Sequence, residues 1–240
     1  MIILSPGELY LVSTPIGNLK DITLRALEIL KEVDLILAED TRTAKKLLAH
    51  FDIKGKKLLS FHSHNLLQRI PTVIKLLKEG KRIALVSEAG TPAISDPGYL
   101  LVQEAIKEGI KITPIPGPSA FLSALIISGL PTRHFYFGGF LPSTGKMRRR
   151  RLREVKDYPC TLIFYESPHR ILKSLEDIKN ILGNREIALV RELTKIYEEV
   201  IRGSVEEVEK ILKANPEKMR GEMVLIISSQ SDKEGDKGQI

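Results

Sequence analysis

The segment Arg82 to Gly98, RIALVSEAGTPAISDPG, changes character halfway along. Ile83 to Ser87 reads as a strand whose apolar run fills both faces, as a parallel strand covered by helices requires. The residues that follow, Glu88-Ala89-Gly90-Thr91-Pro92, are small, acidic and turn-forming, better suited to holding a ligand than to packing. Three further loops have the same make-up: STPIGN from Ser13, EDTR from Glu39 and FHSHN from Phe61. Gly17, Gly90 and Gly117 allow close backbone approach, and Thr14, Ser87, Thr91 and Ser119 add hydroxyls. That chemistry suits an uncharged or zwitterionic small molecule held by main-chain groups. Neither G-x-G-x-x-G nor G-x-x-x-x-G-K-[ST] accompanies it, which disfavours a dinucleotide or a nucleoside triphosphate.

A second chemistry lies in Lys146 to Arg153, KMRRRRLR. Four consecutive arginines repel one another, a cost that a bound anion offsets, and arginine matches phosphate bidentately. Lys146, Arg148, Arg149, Arg150 and Arg151 are therefore expected to contact an RNA backbone, with a merely solvated helix face as the alternative. His62 and His64 would share a face if the preceding strand ran on through them. With no H-E-x-x-H and no cysteine cluster, no metal site is expected. The single cysteine, Cys160, excludes an internal disulfide.

These segments sit on an alternating pattern. Strands are expected at Leu9–Val12, Leu35–Ala38, Lys57–Phe61, Ile83–Ser87 and Lys111–Ile115, each ending in one of the loops above or at Pro116-Gly117-Pro118. Helical stripes run between them: Ala26, Ile29, Leu30 and Val33 after a cap at Asp21; Ile70, Val73, Ile74 and Leu77 before Gly80; Val102, Ala105 and Ile106 before Gly109. Alternation at this spacing predicts an α/β fold with a mostly parallel sheet, and parallel topology gathers the ligand-type loops along one rim. A hinge at Pro114–Pro118 gives an N-terminal domain over 1–116 and a second α/β domain over 117–228. In the second, strands are expected near Phe135–Phe140, Thr161–Tyr165, Glu186–Val190 and Met223–Ser228, and helices near Thr144–Val155, Pro168–Leu182 and Ser204–Ala214. The polar tail over 229–240 is expected to be disordered.

The 240 residues are 42% apolar and 28% charged, a globular composition. No run of about 18 apolar residues exists, so no membrane span is expected. The first residues lack the pattern of a secretion signal, and a cytoplasmic protein is the expectation. Lys and Arg exceed Asp and Glu by 37 to 30, a net charge of +7 that agrees with an anionic partner.

The ordered blocks LYLVSTPIGNLKDIT, AEDTR, FHSHN, LVSEAGTPAISDPG, PIPGPSA, GGFLP, LIFYESPHR, RELTK and GEMVLI run from about Glu8 to Ile227. Together they closely resemble the ribosomal RNA small subunit methyltransferase I family. These are bacterial 16S rRNA cytidine 2′-O-methyltransferases of the tetrapyrrole methylase superfamily. The resemblance implies two α/β domains with S-adenosylmethionine in a cleft between them, a homodimer, and 16S rRNA of the small ribosomal subunit as substrate. Carried over position by position, it implies cofactor contacts from Pro15, from Ser87, Glu88, Gly90, Thr91 and Ile94, and from Ser119 and Ala120. Tyr165 and Met223 would face the adenosine.

Two positions depart from the family pattern: Glu88 stands where Asp is usual, and Leu66 follows FHSHN where an acid is usual. The implied reaction needs help at a weakly nucleophilic ribose hydroxyl. Glu88, Asp40, Asp96, His62 and His64 are candidates at the rim, with Glu88 and His64 first. A tetrapyrrole or corrin methylase and a non-catalytic RNA-binding module are the competing readings. The arginine run and the TPIGN and GFLP blocks speak against the first, and the ligand-type loops against the second.

Overall fold

A computed structural model of the chain describes residues 7–96 and 98–230. Of the tail over 229–240 expected to be disordered, Ser229 and Gln230 are described, with Ser229 buried, and residues 231–240 lie outside the described residues. The chain divides into two compact units, Met1–Ser119 and Ala120–Ile240.

In the first unit the elements alternate: β1 (Glu8–Val12), α1 (Leu24–Glu32), β2 (Leu35–Ala38), α2 (Thr41–His50), β3 (Lys57–Ser60), α3 (Leu66–Lys78), β4 (Arg82–Val86), α4 (Tyr99–Lys107) and β5 (Lys111–Ile115). The strands lie in the order β3-β2-β4-β1-β5 and every pair is parallel. Strand pleating then sorts the side chains. Tyr10, Val12, Ile36, Ala38, Ala84 and Val86 face α1 and α2, while Leu9, Leu37, Ile83 and Leu85 face α3 and α4. The α3 stripe of Ile70, Val73, Ile74 and Leu77 is buried as its spacing predicts, each side chain contributing roughly 1.5–3 kcal/mol. Pro114 is tolerated because β5 is an edge strand, in register with Leu11 of β1.

Three local expectations change. Asp21 does not cap α1: Asn18 starts a single 3-10 turn over Leu19–Asp21, and the Thr23 hydroxyl takes the Ala26 N–H at 3.1 Å instead. The strand before His62 stops at Ser60, so His62 and His64 lie on a turn rather than on one strand face. A further helix, α2, follows β2, capped by Asp40.

The second unit runs α5 (Ala120–Ser128), β6 (Phe135–Phe140), α6 (Gly145–Glu154), β7 (Thr161–Glu166), α7 (Ile171–Leu182), β8 (Glu186–Arg191), β9 (Glu199–Ser204), α8 (Val205–Ala214) and β10 (Met223–Ile227). Its sheet has the order β6-β7-β10-β8-β9, with β6 and β7 parallel and the other pairs antiparallel. α6, α7 and α8 cover one face through Leu152, Leu175, Ile178, Val208 and Leu212. α5 packs against the central strands on the other. The α8 start is a capping box, in which Ser204 and Glu207 each accept the other's backbone N–H. No described helix is long and apolar enough to cross a membrane.

Candidate functional site

Because β1 to β5 are parallel, their carboxyl ends share one rim, where ligands of open α/β sheets bind. Between the ends of β1, β2 and β4 lies a cavity of about 190 Å³, lined among others by Thr14, Pro15, Lys46, Ser87, Glu88 and Glu39.

A tight polar lattice joins the loops after β1 and β4, which supply Thr14, Pro15, Ser87 and Glu88 to its lining. Thr14 and Gly90 exchange both backbone hydrogen bonds at 2.9 Å. The Thr14 hydroxyl donates to the Ser87 carbonyl at 2.9 Å, and the Ser13 hydroxyl to Thr91 Oγ1 at 3.1 Å. Ser87 Oγ also bonds the Asp96 carboxylate, fastening the far end of the loop to β4. Two glycines are required here. Gly90 has φ +88, and a Cβ on Gly117 would stand 2.9 Å from Ser13 Cβ, so only glycine lets the β5 loop close on β1. Ala93 and Ser95 adopt φ +67 and +60 in the same loop, a concentration of left-handed backbone typical of ligand sites.

The rim carries negative charge. Glu39 has its carboxyl pushed above the ordinary carboxylate range, first by burial and then by the charges of Glu88 and Asp96, with His62 acting the other way. Burial raises Asp96 too, against the hydrogen bond from Ser87. Asp40 behaves oppositely: hydrogen bonds from the Arg42 side chain and backbone hold it down at about 2. It grips that guanidinium at 2.7 and 3.1 Å while capping α2. Among the described residues no group of three His, Cys, Asp or Glu could hold a metal.

The implied contacts separate into those brought together and those not. Pro15, Ser87 and Glu88 line the cavity, Gly90 and Thr91 belong to the lattice but not to the lining, and Ile94 is exposed in the same loop. Ser119 follows β5, and Ala120 opens α5. His64 stands exposed, its ring 6.0 Å from that of His62, and is not among the cavity residues. The His62 tautomer is set by Asn65: its Oδ1 accepts the His62 backbone N–H at 2.9 Å, so its amide nitrogen meets Nε2 at 3.0 Å. The ring proton therefore sits on Nδ1, which is buried with no partner among the described residues. Glu39 was not anticipated as a site residue. Its only local sign is its place one residue past β2.

In the second unit Tyr165 packs its ring against Phe137 and Phe140, at 5.1 and 5.2 Å between centroids. Met223 pairs with Glu166, and Tyr165 with Val224, so Tyr165 and Met223 project from opposite sheet faces. The Met223 side chain is buried in the core under α6 to α8, which leaves its main chain, not its side chain, for any ligand. Arg148 is also a correction. It is 4% exposed, and its guanidinium meets Asp177 at 2.7 and 2.8 Å, so it serves the fold rather than an RNA face. Lys146, Arg149, Arg150 and Arg151 remain on the exposed side of α6, although Arg150 and Arg151 share Glu154.

Residues 8–209 match the family described as Tetrapyrrole (Corrin/Porphyrin) Methylases. Proteins named "Ribosomal RNA small subunit methyltransferase I" are similar along nearly the whole chain. That of Halalkalibacterium halodurans is 56% identical, over 95% of this chain and 78% of its own. That of Thermotoga maritima is 50% identical, over 93% and 99%. Among solved structures, a diphthine synthase aligns with TM-score 0.71 at 16% identity, covering 92% of this chain and 90% of its own. The methyltransferase CobJ aligns with TM-score 0.67 at 20% identity and 95% of each chain; both likenesses speak to the fold alone. The parallel first unit, the mixed second unit and these identities agree: the chain belongs to the tetrapyrrole methylase family, in the branch of ribosomal RNA small subunit methyltransferase I.

Proposed function

We propose that this chain transfers a methyl group from S-adenosylmethionine to small-subunit ribosomal RNA, at the ribose 2′-hydroxyl of a cytidine. The observation that carries the reading is identity of 50–56% with relatives of that name over 93–97% of the chain. The site supports it independently. A cationic ligand is matched by the carboxylates of Glu39, Glu88 and Asp96, an acidic rim on a protein of net charge +7. The backbone bridge between Thr14 and Gly90 holds the two loops in place, and Thr14, Pro15, Ser87 and Glu88 line the cavity. We assign Thr91, Ile94, Ser119, Ala120, Tyr165 and the Met223 main chain to the same ligand by resemblance.

When bound, S-adenosylmethionine supplies a methyl group on a positively charged sulfur that departs as a neutral thioether, so no general acid is needed. What remains for the protein is alignment, exclusion of water and help at the attacking hydroxyl. The buried Thr14–Gly90 bridge and the Ser87–Asp96 bond fix the loops that do the aligning. Arg149, Arg150, Arg151 and Lys146 are assigned to the RNA backbone, and the target nucleotide to a turned-out conformation. Family resemblance also supports a homodimer acting in the cytoplasm. Mass mapping of 30S subunits treated with the protein and labelled S-adenosylmethionine tests the reading. A 2′-O-methylcytidine in 16S rRNA is the expected product, and label on a corrin precursor instead overturns it.

A further inference from the structure

We infer that Phe140, the last residue of β6, is the ring on which this protein stacks an unpaired base of its RNA substrate. The inference rests on the methyl-transfer reading above and adds a base contact to a reading that so far holds the RNA by its phosphates.

The strand itself shows how Phe140 comes to stand where it does. Phe135, Tyr136 and Phe137 of β6 lie in parallel register with Thr161, Leu162 and Ile163 of β7, and an unbroken register would set Gly139 beside Tyr165. Instead the pairing slips at Gly138 and Gly139, and Phe140 stands beside Tyr165. Such a bulge inserts one residue and turns the side chains after it to the opposite face. Both glycines are needed for it: a Cβ on Gly138 would strike the Phe164 ring, and Gly139 has φ +65. Without the slip, Phe140 would point with Tyr136 toward the core under α6 to α8. With it, Phe140 joins Phe137 and Tyr165 on the other face and stays 61% exposed. Its ring centroid lies 5.2 Å from that of Tyr165, which sits 5.1 Å from Phe137, and Phe137 stacks on Phe121 of α5 at 4.4 Å. The row of rings thus ends in one open aromatic face. A ring turned out of a core it could have filled, and backed by its neighbours in one orientation, is preorganised for a flat ligand.

Charge names that ligand. Leu141 to Gly145 carry the chain from Phe140 directly into α6, where Lys146, Arg149, Arg150, Arg151 and Arg153 are exposed against a single acid, Glu154. Every nucleobase has a π face with a phosphate close by, and unpaired RNA is bound by this combination of aromatic ring and cationic surface. A second copy of the chain fits the patch less well, because a two-fold contact centred on Phe140 would bring the same cationic helix from both partners. The resemblance places no cofactor contact on Phe140.

The test measures binding to 30S subunits across salt concentration, binding of S-adenosylmethionine by calorimetry and oligomeric state by sedimentation. It compares wild type with Phe140→Ala, Phe140→Leu and Phe140→Trp, with circular dichroism checking the fold. Phe140→Ala is expected to weaken RNA binding about 5- to 100-fold, as loss of one base stack does. Its salt slope should be that of wild type, because no phosphate contact is lost. Phe140→Leu keeps apolar bulk without a π face and should bind as weakly as Phe140→Ala, whereas Phe140→Trp should bind like wild type. Cofactor affinity and oligomeric state should be unchanged in all three. Wild-type RNA affinity in Phe140→Ala or Phe140→Leu overturns the inference, as does a salt slope that falls with the affinity. A parallel loss of cofactor binding would make the ring a cofactor contact, and a changed oligomeric state would make it a protein interface; either overturns it too. A wild-type protein that binds S-adenosylmethionine but neither binds nor methylates 30S subunits overturns the functional reading itself, and with it the inference.

Discussion

Arg148→Leu separates the arginine that holds the fold from those that stay exposed on α6. Arg148 reaches Asp177 Oδ2 through Nε at 2.8 Å and Nη2 at 2.7 Å, and the two side chains are only 5% and 10% exposed. Removing one member of a buried pair costs about 3–5 kcal/mol, chiefly because the other charge is left without its partner. Asp177 keeps a second contact, Arg149 Nη1 at 3.3 Å, but that arginine is 46% exposed and the contact is longer. The loss therefore belongs at the low end, about 3 kcal/mol. Unfolding entropy of roughly 2.1 cal/mol/K per residue converts this to a fall in Tm of about 6 °C for the whole chain, or about 12 °C if the second unit unfolds alone. Urea denaturation read by circular dichroism measures it, with Arg150→Leu, an exposed neighbour, expected within about 0.5 kcal/mol of wild type. A double-mutant cycle with Asp177→Leu should show coupling on the order of 2 kcal/mol. If Arg148→Leu is as stable as Arg150→Leu, the pairing is not what holds α6 to α7 and the reasoning fails.

Replacing Arg149, Arg150 and Arg151 together by serine should weaken binding to 16S rRNA and flatten its salt dependence by about 2 log units per log unit, since each phosphate contact contributes roughly 0.7–0.9 to the slope; an unchanged slope removes α6 from the RNA interface. Gly117→Ala and Gly90→Ala should both destabilise, for different reasons. The first forces a Cβ to 2.9 Å from Ser13 and costs about 1–3 kcal/mol of overpacking, while the second has room but holds φ +88 and costs about 1–2 kcal/mol of backbone strain. Replacing Ser13 by glycine should rescue only the Gly117 variant in urea denaturation. Folding raises the Glu39 pKa, so the protonated form is favoured in the native state and the stability this contributes is lost as pH rises through the folded value. Glu39→Gln should therefore raise stability slightly at pH 7, by less than about 1 kcal/mol given solvent screening, and should not do so at pH 4, as urea denaturation at the two pH values would measure.

Why some of this was readable in advance and some not follows from where each signal lies. Strands β1, β2 and β4 carry continuous apolar runs stopped by Thr14-Pro15, Glu39-Asp40 and Glu88-Ala89-Gly90, and both halves of that signal are local. Helix α5, AFLSALIIS, is apolar all round, and such a run has no period to distinguish helix from strand. β9, EVIRGS, is an edge strand with two apolar residues before Arg202-Gly203, too little pattern to announce itself. Arg148 carried a sign that its charge concealed: Arg148, Leu152 and Val155 fall at i, i+4 and i+7, the buried stripe of α6. Met223 likewise alternates with Leu225 and Ile227 on the face that enters the core. Glu39 had no local sign of comparable weight, because its meaning depends on β4 lying beside β2, a fact of strand order.

The charge distribution divides the labour between the two units. Arginine is concentrated on α6, where Arg149, Arg150 and Arg151 are solvent-accessible, whereas the rim of the parallel sheet collects Glu39, Glu88 and Asp96. Under the function proposed above, an RNA phosphate is repelled by that rim, which leaves its backbone to the arginines of α6 and the target nucleoside to the site. The same acids match the cationic methyl donor of the proposed function, and burial first, then the charges of Glu88 and Asp96, raise the basicity of Glu39. A neutralised rim would thus lose donor affinity and rate together while leaving RNA binding intact. A neutralised α6 would lose RNA binding while leaving donor affinity intact. Binding of S-adenosylmethionine to the Arg149, Arg150 and Arg151 triple variant therefore has to match wild type, and a loss there contradicts the division.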